Sequence, residues 1–110
     1  MSASGVHNPD VIDVVSHNPQ TDIISIGMVE EREWNGSEQM LLELEAKIQN
    51  YFSFLVDGQF DRMYPGYVGK PLEIRLFCST LPDIKTNHFI EQARLKLGPY
   101  NIGFVVSQMK

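Results

Sequence analysis

Leu72-Glu73-Ile74-Arg75-Leu76-Phe77 alternates apolar and charged or bulky residues without a break. That two-residue period is the mark of a β-strand with one buried face and one wetter face, the latter carrying Glu73 and Arg75. A helical segment flanks it on each side. Upstream, from about Ser37 to Val56, residues Leu41, Leu44, Ile48, Tyr51, Phe52 and Leu55 form one apolar stripe, with Gln39, Glu43, Lys47 and Asn50 assigned to the opposite side. Asn35 and Glu38 have capping-box spacing, and Asp57-Gly58 supplies the stop. Downstream, Asp83 suits the N-cap of a second helix over Ile84 to Leu97, with a stripe of Thr86, Phe89, Ile90, Ala93 and Leu97 ended by Gly98-Pro99. Ile102 to Val106 reads as the last strand.

Towards the N-terminus, residues 1–9 read as a loosely ordered lead-in. Val11-Ile12-Asp13-Val14-Val15 is β-branched and short, and Ile23 to Val29 is a second β-rich run with Ile24, Ile26 and Met28 on one face. The turn-rich stretch His17 to Asp22 between them predicts an antiparallel hairpin. Residues 58–71 hold many breakers and several aromatics, with a helical turn expected at Gln59 to Met63. The order β-β-α-β-α-β makes this an α+β chain, one domain over 1–110, with two helices packed on one face of a four-stranded mixed sheet. No helix remains for the other face. Ile23, Val29 and Phe77 are placed to contribute to it, so self-association as a homodimer is expected.

The whole chain has 110 residues, 14 acids and 9 bases, net charge −5 and a pI near 5.0. That balance disfavours a nucleic-acid binder, which needs a clustered basic surface, and disfavours docking to an anionic membrane. No secretory signal and no membrane-length apolar run is visible, and one unpaired cysteine suits a reducing compartment, so the expected location is cytoplasmic. The charge is unevenly spread. Residues 1–57 hold ten acids and two bases, residues 58–110 four acids and seven bases, giving −8 against +3. The plain reading has the two halves fold together and cancel; the sharper one has an acidic face meet a basic partner, or a second copy of the chain.

Candidate chemistry is sparse. His7-Asn8-Pro9 and His17-Asn18-Pro19 echo each other, but a strand between them holds its ends roughly 30 Å apart, too far for one metal ion. Cys78-Ser79-Thr80 stands where the third strand ends and a helix is about to begin, a position where nucleophiles are displayed and a thiol pKa can fall. Cys78 and Ser79 are therefore the candidates for a thiol- or hydroxyl-dependent enzyme, although no base is placed beside them and no glycine-rich phosphate cradle exists. No cofactor motif is present. Trp34, Phe60, Tyr64 and Tyr67 lie in connecting segments. Trp34, Tyr64 and Tyr67 are candidates for partner contact, with Trp34 and Phe60 read first as staples on the ends of the first helix. Leu42 and Phe54 stand off the main stripe and either widen the buried face or mark a contact surface. A small ligand between the 58–71 segment and the sheet edge is a third option.

Asn8-Pro9-Asp10-Val11-Ile12-Asp13, the tryptophan before the first helix, Asn50-Tyr51, Gly58-Gln59, Tyr64-Pro65 and the Ile74-containing strand together resemble a family of short uncharacterised bacterial proteins, a domain-of-unknown-function group. Ser79 to Asn87 departs from that pattern. The resemblance implies a free-standing domain and no catalytic residues. The function expected is a small non-catalytic interaction or accessory domain, regulatory or immunity-like, with the Cys78/Ser79 enzyme as the alternative.

Overall fold

The computed structural model describes residues 5–8 and 10–109. Residues 1–4 and Pro9 of the lead-in, and Lys110, lie outside them. Four strands form one sheet in the order β1-β2-β3-β4: β1 Val14–His17, β2 Ile24–Glu30, β3 Leu72–Cys78 and β4 Ile102–Gln108. β1 pairs antiparallel with β2, and β2, β3 and β4 run parallel. The crossover from β2 to β3 carries α1 (Glu38–Val56), the short α2 (Gln59–Met63) and a 3-10 turn at Pro65–Tyr67; the crossover from β3 to β4 carries α3 (Ile84–Leu97) and a second 3-10 turn. This is the expected α+β mixed sheet in the expected order.

The register places Ile26, Ile74 and Phe104 side by side, and Met28, Leu76 and Val106 side by side. The buried members of these rows, with Ile24 and Cys78, share one core with Leu44, Ile48, Tyr51 and Leu55 of α1 and Ile90, Ala93 and Leu97 of α3. Strand residues alternate faces, so both long helices cover the same face of the sheet. The opposite face has its own cover. Val14 and Phe77 close over Gly27, where an added Cβ would lie 2.4 Å from Val14 Cγ1 and 2.8 Å from Phe77 Cε2. Beside them Glu73 accepts from Ser25 Oγ and pairs with Arg75, which also donates to Ser107 Oγ. The face expected to be bare and apolar is thus part aromatic lid and part ion-paired surface.

Four local readings are corrected. β1 begins at Val14, because Asp13 has left the strand to place its carboxylate under Gly5 N, Val29 N and Lys47 Nζ. Lys47, assigned by hydropathy to the polar side of α1, is 0% exposed. Its ammonium donates to Asn8 O, Val11 O and Asp13 Oδ1 at 2.6–2.8 Å. That set of acceptors is what lets a charge lose its water. The described part of the lead-in is packed rather than loose: Val6 is fully buried and donates to Val29 O. The N-cap of α1 is Ser37, whose hydroxyl accepts from Met40 N, while Asn35 closes a turn onto Ser37 N. Asp83 caps α3 as expected.

Candidate functional site

Cys78 ends β3 with its side chain inward, 0% exposed. Burial pushes the thiol up to about 11, outweighing the opposing effect of the nearby Trp34 indole, and Glu30 pushes the same way. At neutral pH the sulfur is a protonated thiol without access to a substrate. The helix that follows does not reach back to it, since α3 is capped five residues later by Asp83. Both crossovers run over one face, so the sheet has no point at which its connections diverge to open a crevice at the carboxyl ends of the strands. Trp34 occupies that end instead, donating its indole N–H to Thr80 O at 3.1 Å. Ser79 is exposed, and its backbone joins Glu30 O and the Gln108 side chain.

Beside Trp34, Arg32 forks onto the buried carboxylate of Glu30 and reaches Glu43 at 2.6 Å. Hydrogen bonds donated to Glu30 hold the guanidinium protonated, and hydrogen bonds from Gln39 and Arg32 lower the Glu43 carboxyl against the opposing effect of its own burial. The cluster is satisfied internally and ties the connector to α1.

Tyr64 and Tyr67 stand at the other end of the sheet. Phe60 is buried against Phe54, Tyr64 stacks on Phe60 at 5.2 Å, and Tyr67 lies nearly parallel to Tyr64 at 5.8 Å. The stack runs from the core to His17, whose ring is 5.6 Å from Tyr67 and bonded to Asp22. The fold therefore keeps Trp34 apart from Tyr64 and Tyr67. His7 is exposed, and among the described residues no group of His, Cys, Asp and Glu is arranged to hold a metal ion. No helix there is long and apolar enough to cross a membrane.

One opening comes from residues that the sequence reading took simply as core. A groove of about 350 Å³ runs between α1 and α3. Its floor is Ile48, Phe52, Phe89, Ala93 and Leu97, with Tyr100 set edge-on to Phe52 at 4.8 Å. Glu45 and Gln49 form the α1 rim, Gln92 and Lys96 the α3 rim. The signal was available: Phe52 and Phe89 sit at the margins of their stripes, and both are only half-buried. An apolar floor with a polar rim binds by excluded water and orients by charge.

No curated protein and no solved structure matches the chain. A family model does, over residues 4–110. The chain belongs to this family of unknown function, DUF6572.

Proposed function

We propose that this chain is a non-catalytic interaction domain that works by contact through the outward face of α1 and α3 and self-associates there. The observation that supports it is the groove between those helices, apolar at its floor and open at the surface. Exposed apolar patches of this kind mark contact surfaces in monomeric folds. A regulatory or accessory role is the natural use of such a domain. The thiol-enzyme alternative has no comparable support, because Cys78 is buried and its thiolate disfavoured.

Sedimentation equilibrium of the full chain across a concentration series tests the proposal. Mass should rise with concentration, and Gln92→Glu on the groove rim should weaken that rise. A strict monomer up to about 1 mM, the weak limit of specific association, would sink self-association.

A further inference from the structure

We infer that the occupant of the groove is a second copy of the chain, related by a twofold axis along the groove so that α1 of one protomer lies on α3 of its partner. This rests on the interaction reading above and specifies its geometry. The argument is charge. The outward row of α1 runs Glu38, Leu42, Glu45, Gln49, Phe52, and that of α3 runs Lys85, Phe89, Gln92, Lys96, continued by Tyr100 of the 3-10 turn that follows. Steps of three and four residues put each set on one helix face. Glu38, Glu45, Lys85 and Lys96 are exposed, and among the described residues none of them forms an ion pair. The only base of α1, Lys47, is buried and committed to Asp13. The only acid of α3, Glu91, is taken by Arg94. One wall of the groove thus presents uncommitted acids and the other uncommitted bases.

Both helices connect parallel strands over the same face, so they run in the same direction. The Phe52–Tyr100 contact sets their relative height. At about 1.5 Å per residue, Glu38 comes level with the first turn of α3, which carries Lys85. Glu45 comes level with the third turn of α3, within a lysine's reach of Lys96. A twofold axis along the groove keeps these heights while exchanging the walls, setting acids over bases and Leu42 over the partner's aromatic row. A face-to-face twofold set across the groove instead lays α1 on α1, acid on acid. Two helices about 10 Å wide and about 21–28 Å long offer each copy on the order of 500 Å². The total is at the low end of specific interfaces, so the dimer should dissociate on dilution.

Sedimentation equilibrium at low salt on full-length Glu45→Lys, Lys96→Glu and the chain carrying both tests the pairing. Each single change meets its repulsion twice across the axis and should weaken dimerisation about tenfold. The double exchange should restore it. Should either variant melt early, Glu38→Lys with Lys85→Glu makes the same exchange at the other end. A dimer indifferent to the single changes, or a double no better than the singles, overturns this geometry while self-association stands. A wild-type monomer at every concentration overturns both.

Discussion

Lys47 is a full charge without water around it, and it is stable there because three oxygens from residues 8–13 take the place of solvent. Tyr51 extends the network, accepting from Asp13 N and donating to Gly27 O at 2.5 Å, with burial pushing its phenol well above the ordinary value. Lys47→Met removes the cation with its three hydrogen bonds and leaves the buried Asp13 carboxylate without its counter-charge, so urea unfolding should show a loss of about 3–5 kcal/mol. Because the two residues share one network, Lys47→Met with Asp13→Asn should cost at least about 1 kcal/mol less than the sum of the single changes. Strict additivity would show that the pair is not a unit. Cys78 makes a second expectation at this scale. Its folded pKa lies above the unfolded value near 8.5, so burial favours the neutral thiol. The contribution is complete below about pH 8 and fades as pH climbs towards about 11. Alkylation of the folded protein at pH 8 should therefore be slow and accelerate on adding denaturant. Fast labelling of the folded chain at that pH would place the thiol at a reactive surface.

Element boundaries follow from the same contacts, and they explain which parts of the sequence were legible. Periodicity placed β3, α1 and α3 well because each alternates against a single core, and Asp83 followed by an amphipathic run is an unambiguous helix start. Position 47 lies three residues after Leu44 and four before Tyr51, in the middle of the buried stripe. Geometry put it inside while hydropathy put it outside, and only the distant carbonyls of residues 8 and 11 decide between them. The same carbonyls keep Val11 and Ile12 out of β1. At the start of α1, Asn35 and Ser37 both have capping chemistry, but only Ser37 accepts from a helix amide. Ser37→Ala should cost about 1 kcal/mol and Asn35→Ala clearly less, read by thermal melting. Equal losses would return the cap to Asn35. Gly27 is the matching case in the sheet. Gly27→Val forces its side chain into Val14 and Phe77 and should destabilise by about 1–3 kcal/mol, part of it recovered by Phe77→Ala. No recovery would mean that the lid over the second face is not packed on Gly27.

Across the whole molecule, the −8 and +3 halves do fold against one sheet, yet they hardly pair. Of the ion pairs among the described residues, only Asp22–Lys70 joins residues 1–57 to residues 58–110. At the surface the separation survives as an acidic α1 row beside a basic α3 row. The imbalance itself was legible from counting residues. Its placement was not, because the groove exists only once two crossovers bring α1 and α3 together over one face. If the rows meet across a twofold axis, association is electrostatic at its edges and hydrophobic at its centre, and salt separates the two. Raising ionic strength from 0.01 M to 0.15 M shortens the screening length from about 30 Å to about 8 Å. That weakens contacts between exposed charges and leaves burial of Phe52, Phe89 and Tyr100 unaffected. Dimerisation should therefore weaken severalfold over this range and then level off, with the residual affinity set by the apolar floor. Glu45→Lys should show the opposite slope, because salt relieves its repulsion. Sedimentation of both chains over one salt series reads the two slopes together. Parallel slopes would mean that Glu45 does not face a base, whatever the strength of the dimer.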